Sequence, residues 1–221
     1  MAPHNLTECC DAICAYVDNP EITVEELMHY VKGPDFPTGG IIQGRQGIKD
    51  AFETGRGRIV IRSKTEIEVN DSGRETIVVT EIPYMVNKRE MIEKIAELVE
   101  TKKVEGIAYI NDETTMKGVR IVIRLKKDAN ANVVLNTLFK YTPLQSSFSV
   151  NNVALVNGRP RTLNLKQLIK YFVKHRHEVI LRRTRFDLDK AQKRAHILEG
   201  LLKALDVIDQ IINIIRASKN V

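Results

Sequence analysis

The chain has 221 residues, of which 43% are hydrophobic and 28% are charged, and its formal net charge at pH 7 is +6. This composition excludes a disordered protein and is sufficient for one globular domain with its own core. No apolar run approaches the roughly 18 residues of a membrane-spanning helix, and the N-terminus has no signal-peptide pattern. The sequence therefore predicts a cytoplasmic protein that is neither exported nor membrane-spanning.

Charge is distributed unevenly along the chain. Residues 1–40 hold one lysine and seven acidic residues, whereas residues 159–194 hold twelve basic and three acidic residues, a local balance of +9. Clustered cations gain affinity for a polyanion by releasing its counterions. We therefore expect anionic partners for the second half, with a solvated helix face as the alternative interpretation.

Three cysteines, Cys9, Cys10 and Cys14, lie in one predicted helix near the N-terminus. Their number is odd, and no histidine stands at zinc-site spacing from them. Ordinary buried thiols in a reduced compartment are therefore favoured over a metal or disulfide site.

Two short helices are predicted within residues 1–32. Asn5 or Thr7 caps the first, and Thr23 with Glu26 has the capping-box spacing that begins the second. The residues expected to be buried are Ile13, Val17, Val24, Leu27, Met28 and Val31.

A β-hairpin is predicted after a loop rich in Gly and Pro. Alternating apolar residues indicate one strand over 59–69 and a second over 76–82, joined by a tight turn at Asp71-Ser72-Gly73. Asn87 with Glu90 then caps a helix.

Two further strands are predicted over residues 105–111 and 119–125. They are followed by a helix over 129–140, which starts near Asp128, and by a last strand over 146–156. From the second hairpin strand onward the order is βαββαβ. This order is typical of a ferredoxin-like two-layer sandwich, so the predicted fold class is α+β.

Residues 164–204 carry the longest helical pattern, with apolar residues at spacings of three and four and neither Pro nor Gly before Gly200. At a rise of about 1.5 Å per residue, one continuous helix would be roughly 60 Å long, more than the diameter of a domain this chain could build. We therefore expect it to project from the domain. The long helix is predicted to end near Asp206, and this residue is predicted to cap a short final helix.

Several multi-residue motifs occur in one order along the chain. They are Pro3-His4-Asn5-Leu6-Thr7-Glu8, Gly33-Pro34-Asp35-Phe36-Pro37-Thr38-Gly39-Gly40, Thr54-Gly55-Arg56-Gly57-Arg58, Glu81-Ile82-Pro83-Tyr84-Met85-Val86-Asn87-Lys88 and Arg182-Arg183-Thr184. Together they resemble the A subunits of bacterial DNA gyrase and, more loosely, of topoisomerase IV. The resemblance implies a helical segment at 1–32, a tower domain at 33–163 and the start of a coiled-coil arm at 164–221, which ends before the exit gate.

The resemblance also implies an activity. Type IIA topoisomerases pass one DNA duplex through a double-strand break, and gyrase uses ATP to introduce negative supercoils. Two A subunits form a homodimer within the heterotetramer, and the partner B subunit binds ATP and magnesium. A region of this kind would flank and guide the double-stranded gate DNA on the chromosome, with no cofactor or metal of its own.

The family's catalytic tyrosine has no counterpart in this sequence. It precedes the Pro-His-Asn-Leu motif, which begins here at Pro3, so no catalytic residue is assigned and the chain is expected to be an inactive fragment of its parent enzyme. Lys140-Tyr141-Thr142 resembles the context of that tyrosine. Tyr141 ends a predicted helix, however, and a packing role is favoured for it.

Seven polar residues are predicted to contact DNA through its phosphates, without reading sequence. They are Arg45, Gln46, Arg56, Arg58, Arg62, Lys88 and Arg89. A solvated surface role is the alternative for each of them. The run 55–58 is too short for a phosphate-binding loop and is expected to enter a strand.

Two functions of other classes remain open. A free-standing nucleic-acid-binding module is one, although the predicted strands carry Ile, Val and Thr rather than the aromatic residues of an RNA-recognition sheet. A coiled-coil adaptor with no nucleic-acid role is the other, and the basic bias argues against it. Because the resemblance implies an arm whose returning half is absent here, we expect another copy of the chain to cover part of the apolar stripe on the long helix, by antiparallel pairing or swapping.

The absent tyrosine generates a testable prediction. The chain should not cleave, relax or supercoil DNA, even when ATP, magnesium and the partner subunit are supplied. Denaturing electrophoresis with labelled duplex would detect a covalent protein–DNA adduct. An adduct that formed with this chain and disappeared in Tyr141→Phe would contradict the prediction.

Overall fold

The computed structural model describes residues 1–70, 73–116 and 118–218. Its helices are α1 (Leu6–Asp18), α2 (Val24–Tyr30), α3 (Gln46–Thr54), α4 (Lys88–Glu100), α5 (Ala131–Tyr141), α6 (Leu165–Asp206) and α7 (Ile208–Ala217). Its strands are β1 (Ile41–Gln43), β2 (Arg56–Arg62), β3 (Lys64–Val69), β4 (Glu75–Glu81), β5 (Ile107–Asp112), β6 (Ile121–Leu125), β7 (Gln145–Asn151), β8 (Val153–Val156) and β9 (Arg159–Thr162). The predicted turn residues Asp71 and Ser72 lie outside the described residues.

The chain divides into two units, residues 1–170 and 171–221, with the division inside α6. All the strands that the structure describes belong to the first unit. The region boundaries predicted after residues 32 and 163 stay predictions.

The caps of the first two helices confirm the sequence signals. Asn5 Oδ1 accepts hydrogen bonds from the backbone N–H groups of Thr7 and Glu8, and Thr23 forms a reciprocal capping box with Glu26. Side-chain caps of this kind satisfy backbone donors that the first turn of a helix cannot pair.

The buried face of α1 differs from the prediction. Ala12 and Tyr16 are buried, whereas Val17 is 57% exposed and Ile13 is only partly covered. Helix α1 packs against α2, and the small side chain of Ala12, which is fully buried, suits such close packing. The apolar stripe that the sequence shows on the other side of α1 is therefore left at the surface. In α2 and the residue after it, Leu27 and Val31 are buried as predicted, whereas Val24 and Met28 are only partly buried.

The prediction of buried cysteines is also wrong. Cys10 and Cys14 are exposed, and Cys9 is half-buried. All three are free thiols.

The strand predicted over 59–69 is in fact two strands in different sheets. Ser63 separates β2 from β3, is 2% exposed, and donates its backbone N–H to the carbonyl oxygen of Leu144 at 2.8 Å. Residues Ile59 and Ile61 are buried on one side of this break. The alternating pattern continues across it without a signal, so the sequence could not show the change of sheet.

Strands β3, β4, β5 and β6 form a four-stranded antiparallel sheet in the order β3-β4-β6-β5. Helices α4 and α5 contribute to one core with this sheet. Its fully buried members are Ile77, Val79, Met91, Ile95, Ile121, Ile123, Ala131, Leu138 and Leu144. Burial of each large side chain stabilises the fold by about 1.5–3 kcal/mol, so this cluster contributes much of the stability of the sheet and its two helices.

The predicted α+β class is therefore confirmed, with one difference in strand order. In a ferredoxin-like sheet the last strand of the βαββαβ unit lies beside the first. Here β3 occupies that place beside β4, and β7 pairs instead with β2 in a second sheet, ordered β1-β2-β7.

Two other boundaries are corrected by the structure. Helix α5 is capped by Asn130, whose side chain accepts from the N–H groups of Asn132 and Val133, rather than started by Asp128. The strand predicted over 146–156 is divided into β7 and β8 by the buried Asn152. Its N–H donates to the carbonyl oxygen of Gly55 at 2.8 Å, and its own carbonyl oxygen accepts from the N–H of Leu163 at 2.9 Å.

The long helix is present as a single element of 42 residues. Asn164 and Gln167 cap its start reciprocally, each side-chain oxygen accepting from the backbone N–H of the other residue. Between Tyr171 and Ser218 no residue is buried. Asp206 is the last residue of α6, and the following helix has Val207 at its N-cap without a side-chain hydrogen bond, so the predicted cap is wrong. Among the described residues, no helix is long and apolar enough to cross a membrane.

Helix α3 packs on one face of β2 through two glycines. A Cβ on Gly57 would collide with the carbonyl oxygen of Gly47 and lie 2.8 Å from the backbone nitrogen of Ala51. We therefore expect Gly57→Ala to separate α3 from β2 and to reduce the free energy of unfolding by about 1–3 kcal/mol. Urea denaturation followed by circular dichroism measures this change.

A helix-interior glycine provides the matched control. A Cβ on Gly200 meets no atom within 4 Å, so Gly200→Ala should be neutral or stabilising by up to about 1 kcal/mol. Equal unfolding free energies for Gly57→Ala and the parent protein would show that the close contact of α3 with β2 is not required.

Candidate nucleic-acid interface

The open face of the β1-β2-β7 sheet carries three of the seven predicted DNA contacts. Side chains alternate along a strand, so Arg56, Arg58 and Arg62 point to the face opposite the buried Ile59 and Ile61. The glycine-rich run 55–58 leads into strand β2 rather than into a helix, which is the element that follows a phosphate-binding loop. The run enters β2 at Arg56, as the sequence predicted.

Strand β7 extends the same face with uncharged polar groups. The antiparallel register places Asn151 opposite Arg56, Ser149 opposite Arg58 and Gln145 opposite Arg62. Residues that are directly opposite share a face of the sheet. The open face therefore combines guanidinium groups with hydroxyl and amide groups, all of which can donate hydrogen bonds to phosphate oxygens.

A groove of about 680 Å³ adjoins this face. It is bordered by the two strands, by the first half of α4 and by the end of α5. The residues that line it are Arg58, Val60, Glu90, Lys94, Lys140, Tyr141, Thr142, Pro143, Gln145, Ser146 and Ser147. Three cations and one carboxylate among these residues give the groove a net positive charge.

Three of the predicted arginines are available to an external anion. Arg45, Arg56 and Arg58 are exposed, and no carboxylate of the described residues forms an ion pair with any of them. Arg45 occupies the N-cap position of α3 without a side-chain capping bond. A surface guanidinium with no internal partner can bind a phosphate without first leaving another partner.

Two other predicted cations are engaged inside the protein. Lys88 Nζ lies 2.7 Å from Asp112 Oδ2, and Arg89 Nε lies 2.8 Å from Glu93 Oε1. The hydrogen bond from Lys88 is the main reason why the pKa of Asp112 falls from 3.8 to about 2, with a further hydrogen bond from Thr114. An anion would have to compete with these carboxylates.

The last two predicted residues also have internal partners. Arg62 donates from Nε to Gln145 Oε1, and its guanidinium lies 4.9 Å from the ring centroid of Phe139. Gln46 Nε2 donates to Asp50 Oδ1 at 2.7 Å. Arg62 therefore joins β2 to β7 and α5, and its side chain is less available than those of the exposed arginines.

The structure also adds residues that the sequence interpretation did not select. Lys140 lines the groove with its Nζ 5.2 Å from the ring centroid of Tyr141, which is 49% exposed. Lys94 lines it too, although it is paired with Glu97 at 2.7 Å. Because α5 leads directly into β7, the pairing of β2 with β7 brings Lys140 near Arg58, and the sequence has no local signal for that pairing.

The described residues contain no group of three or more His, Cys, Asp or Glu side chains arranged to hold a metal ion. The side chains on the open face and in the groove are mainly cations and hydrogen-bond donors. Such a surface can bind and position a polyanion.

Comparison with known proteins identifies the class to which this fold and surface belong. The family model that describes the A subunit of DNA gyrase/topoisomerase IV matches residues 1–221. The chain belongs to this family, as its motifs indicated.

Curated relatives make the assignment more specific. The chain is similar to the DNA gyrase A subunits of Clostridium acetobutylicum, with 56% identity over 219 residues, and of Ureaplasma parvum, with 58% over 218 residues. The DNA gyrase A subunit of Treponema pallidum is 54% identical over 221 residues. These matches cover 99%, 99% and 100% of this chain but 26%, 26% and 27% of the relatives. The chain thus spans about a quarter of their length.

The ion pair of Lys88 yields a prediction about pH. The carboxyl group of Asp112 should titrate at about pH 2, and in Lys88→Ala its pKa should rise towards 3.8. Because the folded-state pKa is lowered, the pair stabilises the fold above about pH 4 and loses this effect as the pH falls towards 2. NMR of the side-chain carboxyl carbon measures the midpoint.

Arg89→Ala is the matched control, because it removes a neighbouring cation that is paired with Glu93 instead. The midpoint of Asp112 should stay at about 2 in this variant. A midpoint near 3.8 in the parent protein would contradict the ion pair.

Proposed function

We propose that this chain is the part of a gyrase-type A subunit that flanks and guides duplex DNA, and that the open face of the β1-β2-β7 sheet is its DNA contact. The observation that carries the proposal is the exposure of Arg56 and Arg58, which form no ion pair with a carboxylate of the described residues, beside a cationic groove. Membership of the gyrase and topoisomerase IV family supports it.

The geometry suits the backbone of DNA rather than its bases. Arg56 and Arg58 are two residues apart on one strand, so their Cα atoms are about 6.8 Å apart and both side chains can reach along one phosphate chain. Serine hydroxyls of β7 add neutral donors beside them. Contacts of this kind fix the position of a duplex without reading its sequence. A surface that guides DNA of any sequence would require such contacts.

The activity of the whole protein extends this proposal. The parent enzyme would be a type IIA topoisomerase that introduces negative supercoils into chromosomal DNA in the cytoplasm. Its A subunits would form a homodimer and work together with B subunits, which would bind ATP and magnesium. The names of the relatives favour gyrase over topoisomerase IV, the alternative.

The proposal predicts weak, salt-dependent binding of duplex DNA. Non-specific sites have dissociation constants on the order of 10⁻⁴ to 10⁻⁶ M at physiological salt. Replacing Arg45, Arg56 and Arg58 together by Ala should weaken binding to all sequences alike. It should also flatten the plot of log K against log salt by about 0.9 for every phosphate that the variant no longer binds. Fluorescence anisotropy with random duplexes at several salt concentrations measures both quantities.

A second triple variant tests whether position matters or only net charge. Lys103, Lys126 and Lys127 are exposed, Lys103 follows the C-terminal end of α4, and Lys126 donates its backbone N–H to the carbonyl oxygen of nearby Gly106 at 2.7 Å. The groove is bordered instead by the first half of α4. Replacement of the three lysines by Ala removes the same charge and should change affinity much less. If the two triple variants bound equally well, the DNA-binding surface would have to be sought elsewhere, first in the basic segment 176–194 of α6.

A further inference from the structure

The outer face of α1 carries two exposed cysteines within an apolar stripe. Leu6, Cys10, Ile13, Cys14 and Val17 follow the spacing of three and four residues that places side chains on one side of a helix. Leu6 is 77% and Val17 57% exposed, and both Cys10 and Cys14 are exposed. This stripe therefore presents two thiols to solvent on adjacent helical turns.

The helix keeps these two thiols too far apart for a disulfide within α1. Residues at i and i+4 have Cβ atoms about 5–6 Å apart, whereas a disulfide requires about 3.5–4.5 Å. An ion bound by two sulfur atoms at about 2.3 Å each joins sulfur atoms that are up to about 4.6 Å apart. Two Cβ–Sγ bonds that extend from neighbouring turns of a regular helix can bring their sulfur atoms to that separation. The geometry of Cys10 and Cys14 thus suits a bridging ion.

Cys9 does not share this position. It is half-buried, and it lies about 140° around the helix axis from Cys14, at the edge of the stripe. Cys9 is therefore less accessible than the other two thiols and cannot share an ion with Cys14 across one side of the helix.

We propose that Cys10 and Cys14 form a site for a soft, thiophilic cation that takes two sulfur ligands, such as Hg²⁺. Thiolates prefer soft metals. A four-ligand metal such as structural zinc is disfavoured, because the described residues supply no third or fourth ligand there. The acidic residues among 1–40 give this region a negative potential that attracts cations.

Binding at this site exchanges protons for the metal. Both thiols lose their protons to solvent, and two S–Hg bonds form, so one Hg²⁺ replaces two H⁺ with no change in oxidation state. The bridge would join two successive turns of α1 and stabilise the helix.

Competition with a monothiol distinguishes the bridged site from single cysteines. Hg²⁺ is added to the protein in excess N-acetylcysteine, and the retained metal is counted by native mass spectrometry. We expect an added mass of one Hg²⁺ less two H⁺ per chain, the two protons passing to the displaced N-acetylcysteine thiolates, and slower amide exchange around residues 10–14. Each of Cys10→Ser and Cys14→Ser should weaken retention at least about 100-fold, because the second sulfur binds intramolecularly.

Cys9→Ser is the matched control and should retain the metal like the parent protein. It also keeps the test informative should one variant fold poorly, since circular dichroism of all three variants can be compared with that of the parent. Equal retention by Cys10→Ser and the parent would overturn the proposal. Mercury-bridged chain dimers in place of metal-bound monomers would also overturn it.

Discussion

The pairing of β2 with β7 is the interaction on which the proposed DNA surface depends. Seven residue pairs join strands that are separated by more than eighty positions in the sequence. This pairing sets the arginines of one strand beside the hydroxyl and amide groups of the other. It also brings the end of α5, which leads directly into β7, next to Arg58. The cationic groove is a consequence of that register.

Local signals in the sequence predicted much of the fold. The caps at Asn5, Thr23 and Asn87 and the continuous helix after Asn164 are all present, because each depends on interactions within a few residues. The passage of the chain between sheets at Ser63 was missed because both sides of it keep the alternation of a strand. The exposure of the cysteines on α1 was missed because packing against α2, rather than apolarity, decided which face is covered.

The candidate site was predicted only as a set of residue types. Sequence could indicate basic side chains near the glycine-rich run, but not which of them lack an internal partner. Lys88 and Arg89 differ from Arg56 and Arg58 because Asp112 and a glutamate lie within reach of the former pair. Such pairing depends on tertiary distances of a few ångströms. The presence or absence of an internal ion pair therefore ranks the predicted DNA-binding residues by how readily each can bind a phosphate.

The connection between β2 and β3 is a single buried residue, Ser63, so the number of residues at this point is fixed. Ser63 alone connects the two sheets, and its backbone is held by Leu144 at the entrance to β7. Because side chains alternate with a period of two, one inserted or deleted residue here would turn one strand over and exchange its core side chains for its surface ones. Chain length at this point is therefore as constrained as side-chain identity. In related proteins, insertions and deletions should instead occur in places such as the β5–β6 connection, which joins two neighbouring strands of the same sheet.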